Sequence, residues 1–506
     1  MTAVPYVDVL VVGAGLSGIG AACHLKRDCP ERSVLIVEAR HDLGGTWDLF
    51  RYPGVRSDSD MHTLGYSFRP WPDPQAIADG PSILEYIRET AEEYGLLDSV
   101  RFGHRVVAAS WDSGRAQWTV ELLHGTETVR VTCGFLHVCS GYYDYAAGHT
   151  PDFAGIEDFT GTVVHPQQWP GDLDLDGKRV VVIGSGATAV TLIPALAGRT
   201  AHVTMLQRSP GYIVAGPSRD AVAAGLGRIL PGRVALSLVR WKNALISVAQ
   251  YELCRRAPRL MRAFMRRDVE KQLPADFDVD THFTPAYAPW DQRVCLAPDG
   301  DLFRELAAGR ASIVTDRIDR FTPAGIRLVS GRELEADVVV TATGLNLLPL
   351  GGIRLSVDEK PVDVASAIAY RAMMLCGVPN FAWTVGYTNA SWTLKADLVA
   401  HYLCRLLNHM AARGYSAATP LPPAEPETAP LMDLASGYIR RGIDGFPKQG
   451  TRQPWRLHQN YVIDHRVLRR APLEDHMRFT TRSLRGSENG QSGSTPGNFR
   501  RQPSRA

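Results

Sequence analysis

No stretch of the 506 residues approaches the roughly 18 uninterrupted apolar side chains that a membrane-crossing helix needs. The N-terminus carries no basic region followed by an apolar core and a cleavage site; it runs into a β-branched strand within a few residues. Both absences predict a cytoplasmic protein. Excess charge of either sign is missing as well: 55 Lys and Arg face 53 Asp and Glu, a formal charge of +2. That excludes a dedicated nucleic-acid binder, which would show a strong basic excess. Cysteine is scarce, and 8 cysteines in a chain of this length do not build a disulfide scaffold. Cys23/Cys29 and Cys133/Cys139 are spaced neither as a C-x-x-C redox motif nor as metal ligands, so core-filling thiols and no metal are expected.

What is present is a repeated α/β rhythm. Tyr6–Val12 (YVDVLVV) ends at glycines as a buried parallel strand does, Gly15–Lys26 has helical periodicity, and Ser33–Glu38 is a second apolar strand. The pattern recurs in Arg179–Ile183, Gly186–Ala197 and His202–Leu206, and a further apolar strand is expected at Asp337–Thr341. Two βαβ units imply two dinucleotide sites at the carboxyl ends of parallel strands. The fold class expected is therefore α/β, with two nested Rossmann-like dinucleotide-binding domains. The expected division is a first domain over 1–145, an inter-domain linker over 146–177, and a second domain over 178–335. The first domain then resumes over 336–482, ahead of a disordered tail over 483–506 that is rich in Gly, Ser, Arg and Pro. Within the second domain, 215–275 reads as a helical insertion. From Arg228 to Lys271 this insertion is strongly basic, with Glu252, Asp268 and Glu270 its only acids. It reads either as solvated helices or as a surface that touches anionic lipid, which would make the protein peripherally membrane-associated.

Gly13-Ala14-Gly15-Leu16-Ser17-Gly18 lies between strand and helix, where glycines allow a tight turn and close approach to a pyrophosphate at the helix N-terminus. Glu38 ends the next strand, where a carboxylate binds both hydroxyls of an adenosine ribose. Gly184-Ser185-Gly186-Ala187-Thr188-Ala189 repeats the turn, but its following strand ends in Gln207-Arg208-Ser209. An acid there would repel a 2′-phosphate, whereas Arg208 can hold it, which selects NADPH over NADH. A flavin site with a nicotinamide site nested inside serves disulfide reductases and flavin monooxygenases. The former need a dithiol beside the flavin, which the cysteine spacing does not offer, and oxygen chemistry remains.

Between the glycine motifs lies Phe159-Thr-Gly161-Thr-Val-Val-His165-Pro-Gln-Gln-Trp169-Pro170. It resembles, at every fixed position, the F-x-G-x-x-x-H-x-x-x-W-P signature of type I Baeyer–Villiger monooxygenases; related flavin enzymes that oxygenate only nitrogen or sulfur usually lack the Trp-Pro ending. Gly44-Gly45-Thr46-Trp47 and Tyr52-Pro53-Gly54-Val55-Arg56-Ser57-Asp58 match further segments of the family. With WDLFRYPGVRSDSD, HFTPAYAPWDQRVCLAPDGDLF and NASWTLKADLVA, the chain is similar over about residues 5–480 to the thioamide-prodrug-activating branch.

The resemblance implies FAD contacts from Ser17, Glu38, Thr46, Trp47, Asp48, Leu49, Asp58 and backbone near Val106. It implies NADP contacts from Arg56, Ser57, Gly184, Ser185, Gly186, Ala187, Thr188, Ala189, Val190, Arg208 and Ser209. Arg293 falls on the family's catalytic arginine, paired with Asp58, although the C-K-R-P segment common there is not present in this chain. Phe159, Gly161, His165, Trp169 and Pro170 would act as a hinge. The implied activity uses FAD, NADPH and O₂ to insert one oxygen into ketones, giving esters or lactones, or onto thioethers and thioamides. The alternative is a monooxygenase confined to heteroatoms.

Overall fold

Valine dominates Tyr6–Val12, and the strand is buried from Val9 to Val12, where parallel neighbours flank it on both sides. Val34–Val37 pairs with one edge and Glu127–Val138 with the other, both parallel. In the computed structural model, which describes residues 4–425 and 427–481, these strands centre a nine-stranded mixed sheet. An antiparallel ribbon of His104–Asp112 and Gln117–His124 extends it. The helices Leu16–Asp28 and Trp392–Arg413 cover one face and share a core of Ile19, Leu25, Leu398 and Leu406. The tail expected over 483–506 lies outside the described residues.

The second unit is a five-stranded parallel sheet in the order Ala311–Thr315, His202–Gln207, Arg179–Ile183, Val338–Thr341, Thr162–Val164. The helix Ala187–Leu196 packs on it. Two sequence-based boundaries shift here. Thr162–Val164, expected within the linker, is the edge strand of this sheet. Val338–Thr341, expected to begin the returning first domain, sits inside the second sheet between two parallel strands. Its four apolar or β-branched residues are all buried, the state of a central strand; composition alone does not say which sheet an apolar strand enters. The chain crosses between units at Tyr143–Gly148 and returns at Leu345–Leu347, and these segments pair antiparallel as a two-stranded ribbon. Two short paired crossings hold the second unit against the first.

The insertion forms the helices Ala221–Ile229, Gly232–Arg256 and Pro258–Gln272. Although it interrupts the second unit in sequence, its long helix docks on the first. Arg240, 8 % exposed, donates to the Gly65 carbonyl at 2.6 Å and pairs with Asp397 at 3.0 Å. Trp241 packs on Tyr461 with ring centroids 5.3 Å apart, and Asn243 donates to Asp60 at 2.9 Å. A buried arginine without its carboxylate is costly, so Arg240 and Asp397 specify this docking. Among the described residues no helix is long and apolar enough to cross a membrane.

Candidate active site

The first glycine turn is shaped by contact between backbones. A Cβ on Gly18 would lie 1.8 Å from the Gly13 carbonyl oxygen, so helix and turn approach closer than any side chain permits. Gly15 caps the helix with no side-chain hydrogen bond, which leaves first-turn N–H groups available to a pyrophosphate. Glu38 is held at the strand end by N–H groups of Ala14 (2.7 Å) and Arg40 (2.9 Å), its carboxylate oriented beside the turn. Thr46 Oγ1 meets the Tyr145 hydroxyl at 3.1 Å, and Trp47 and Leu49 are half-buried. Asp48 is buried, and its carboxylate is claimed by Arg40 and Arg51, each at 2.5 Å. Val106 is buried two residues past His104, whose N–H donates to the Glu38 carbonyl at 2.8 Å.

At the second turn a Cβ on Gly184 would lie 2.3 Å from the Ala342 carbonyl oxygen. Gly186 again caps the helix, which runs through Ala187–Leu196 and so holds Thr188, Ala189 and Val190, without a side-chain bond. Ser185 Oγ donates to the Ser209 carbonyl at 3.2 Å, tying this turn to the segment that carries Arg208. Arg208 is exposed and forms no ion pair among the described residues. A ribose 2′-phosphate would meet a free guanidinium there and no carboxylate.

The Tyr52-Pro53-Gly54 segment of the first unit lies flat on the second. A Cβ on Gly54 would sit 2.7 Å from Ala195 Cβ, and burial pushes the Tyr52 phenol up to about 12. Arg56 pairs across the units with Asp301 at 2.5 Å, while its buried Nη2 has no hydrogen-bond partner among the described residues. That orphaned cationic donor stands where the resemblance implies a nicotinamide-dinucleotide contact. Ser57 is buried, accepting from the Ala78 N–H at 3.2 Å, and its backbone N–H donates to the Ala78 carbonyl at 2.9 Å.

Arg293 and Asp58 meet between these features at 2.8 Å, with side chains 30 % and 41 % exposed. The Asp58 carboxylate raises the Arg293 pKa still further, so the guanidinium is permanently charged. The phenols of Tyr438, Tyr142 and Tyr143 lie within electrostatic reach of Arg293. Tyr142 and Tyr143 bring their hydroxyls to 3.2 Å, and burial keeps all three phenols neutral by raising their pKa values. Tyr142 stacks on Trp392 at 5.2 Å, and Trp392 Nε1 donates to Ser17 Oγ at 2.7 Å. A continuous set of contacts thus runs from the first glycine helix to the phenols within reach of the arginine. The Ala435 N–H donates to the Asp291 carbonyl at 2.7 Å, stitching the segment before Tyr438 to the arginine loop.

The sequence reading did not single out Tyr142, Tyr143, Trp392 or Tyr438. A signal was present for two of them: adjacent tyrosines follow the Cys139-Ser140-Gly141 strand end, where α/β sites open.

The motif residues sit at the paired crossings. His165 Nδ1 accepts from the Gln167 N–H, which fixes the tautomer, and Nε2 donates to the Gly344 carbonyl; both bonds measure 3.1 Å. Burial lowers the His165 pKa and keeps the ring neutral. The ring lies over Gly148, where a Cβ would come within 1.9 Å of it. Gln167 and Gln168 donate to the carbonyls of Asp144 and Ala146 at 2.7 and 2.8 Å. Phe159 packs edge-on against Phe321, Gly161 lies against the Asp337 carbonyl, and Trp169, followed by a half-buried Pro170, borders the second core.

Comparison with known proteins adds three findings. Residues 7–224 match the family described as flavin-binding monooxygenase-like. The FAD-containing monooxygenase EthA of Mycobacterium tuberculosis is 54 % identical over 481 residues, covering 94 % of this chain and 98 % of that protein. Among solved structures, an oxidized steroid monooxygenase bound to NADP superposes with a TM-score of 0.72 at 22 % identity, covering 94 % of this chain and 100 % of that one. OTEMO in complex with FAD and NADP gives 0.66 at 23 %, covering 83 % and 87 %. At these identities the two structures establish a shared fold.

Proposed function

The chain belongs to the FAD-containing, flavin-binding monooxygenases, and from that premise we propose that it is an NADPH-dependent Baeyer–Villiger enzyme. It inserts one oxygen atom of O₂ into a ketone to give an ester or lactone, and it oxygenates thioethers and thioamides at sulfur. The observation that carries this reading is the Arg293–Asp58 ion pair, set among neutral phenols between two dinucleotide turns.

The residues fit both groups. Gly13, Gly15, Gly18 and Glu38 would hold FAD, with Thr46, Trp47 and Leu49 beside it; Asp48 acts through Arg40 and Arg51 rather than by a free carboxylate. Gly184, Gly186, Arg208 and the unsatisfied Nη2 of Arg56 would hold NADPH. When bound, NADPH supplies the hydride and FAD the oxygen-activating centre.

The chain's own residues do the rest. Arg293 stabilises negative charge that develops on the substrate's carbonyl oxygen, worth about 3–4 kcal/mol for one preorganised donor. Asp58 keeps the guanidinium aimed and its charge compensated. Tyr142 and Tyr143 remain protonated, and because their hydroxyls pair with each other one O–H is left to donate toward that oxygen, beside the Trp392–Tyr142 stack that walls off water. His165 clasps the crossings and so sets the angle at which the nicotinamide unit faces the flavin unit.

The test is NADPH consumption with a cyclic ketone and, separately, with a thioether, the products identified by mass spectrometry. Ester or lactone from the ketone supports the proposal. Sulfoxide alone, with no ester, sinks it in favour of the heteroatom-only alternative.

A further inference from the structure

The helical insertion presents large apolar side chains that the rest of the described residues leave uncovered. Ile229, Leu260 and Phe264 are 81 %, 63 % and 62 % exposed. Val234, Leu238 and Leu245, spaced by four and seven residues, share one exposed face of Gly232–Arg256. The buried face of the same helix carries Ala235, Val239, Arg240 and Ala244, and docks it on the first unit. The exposed stripe is therefore a second apolar face on a helix whose core-facing side is already used.

The cations divide in the same way. Arg240, Lys242, Arg255, Arg256 and Arg266 are paired with carboxylates. The insertion's own acids are occupied: Glu252 by Arg256, Glu270 by Arg266, and Asp268 by the Ala215 N–H. Arg228, Arg233, Arg259, Arg262, Arg267 and Lys271 form no ion pair among the described residues, though Arg262 is spent on the Tyr212 hydroxyl and the Tyr287 carbonyl. The first three adjoin Ile229, Val234 and Leu260 in sequence, and Arg267 stands one helical turn past Phe264. Exposed apolar side chains interleaved with uncompensated arginines are the pattern of helices that lie in a membrane interface.

We propose that this face of the insertion binds laterally to an anionic lipid bilayer, with Ile229, Leu260 and Phe264 entering the headgroup boundary and the four arginines meeting anionic headgroups. A second copy of the chain fits worse, because a two-fold interface sets a patch against itself and would bring arginine onto arginine. A protein partner would need carboxylates fixed opposite side chains spread over three helices. A bilayer supplies mobile negative charge and demands no matching shape. This proposal stands apart from the reading of the reaction.

The test is flotation of the FAD-loaded, full-length protein with vesicles of phosphatidylcholine alone, or of phosphatidylcholine with about one-third phosphatidylglycerol. The wild type is expected to float with the anionic vesicles and not with the neutral ones. Leu260→Ser/Phe264→Ser should weaken that partition by about tenfold or more, and Arg259→Gln/Arg267→Gln by about thirtyfold. All four side chains are exposed, so bound FAD and melting temperature should stay at wild-type values, separating lost binding from lost fold. No wild-type binding to anionic vesicles, equal binding to both vesicle types, or binding unchanged in both variants would overturn the proposal. A wild-type dimer that Leu260→Ser/Phe264→Ser converts to a monomer would also overturn it, assigning the face to self-association.

Discussion

His165 donates from Nε2 to the Gly344 carbonyl at 3.1 Å, and through that bond the segment following the edge strand Thr162–Val164 is fastened to the start of the returning crossing. The ring also covers Gly148, so it touches both strands of the inter-domain ribbon. At about 1 kcal/mol that single bond between segments does not decide global stability, so its loss is expected to tell on how the segments are set rather than on folding.

His165→Ala is therefore expected to keep FAD bound while lowering coupled turnover by roughly ten- to a hundredfold, the scale of an ångström-level misplacement. Flavin absorbance after gel filtration and product formed per NADPH consumed check this. Release of FAD from the variant would make the clasp a folding element instead of a hinge.

Arg293→Ala should bind FAD and oxidise NADPH yet yield product about a hundredfold to a thousandfold more slowly, with hydrogen peroxide released in its place. Asp58→Asn should show a weaker form of the same defect, because the guanidinium keeps its charge and loses its orienting partner. Counting ester and peroxide against NADPH decides the matter; wild-type coupling in Arg293→Ala removes this arginine from the mechanism.

Arg208 is exposed without an acidic partner among the described residues, so Arg208→Ala should leave stability unchanged and raise KM for NADPH by about ten- to a hundredfold. KM for NADH should move little, since NADH lacks the 2′-phosphate. An equal rise for both cofactors would show that Arg208 does not read the phosphate.

His137 predicts a pH dependence of stability. It is wholly buried beside Thr384, whose hydroxyl lies 2.9 Å from its Nε2, and burial lowers its pKa to about 4. The unfolded chain takes up this proton near pH 6.5 and the folded chain only near 4, so stability is full above about 6.5. It is lost progressively as pH falls between those values, by about 3 kcal/mol in all. His137→Gln should flatten the fall in melting temperature over that window; an unchanged slope would place the effect elsewhere.

Much of this protein was legible before any coordinates. Gly13 to Gly18 with Glu38, and Gly184 to Ala189 with Arg208, define two dinucleotide turns, because close backbone approach and the charge at a strand end are properties of local sequence. Arg293 and Asp58 were paired by resemblance across 235 positions, and they stand 2.8 Å apart. The tertiary structure decided what depends on contacts distant in sequence. Val338–Thr341 could have joined either sheet, since both offer a parallel slot to an apolar strand, and its register with Arg179–Ile183 settles the choice. Trp392 and Tyr438 carry no local mark of a site; only folding stacks Trp392 on Tyr142 and brings Tyr438 within electrostatic reach of Arg293. The basic insertion was visible as charge, but which arginines are spent on carboxylates and which stay unpaired is settled only in the folded chain, as Arg240 on Asp397 and Arg255 on Asp291 show. Sequence sets the chemistry each segment can offer; packing determines which of those offers are already taken.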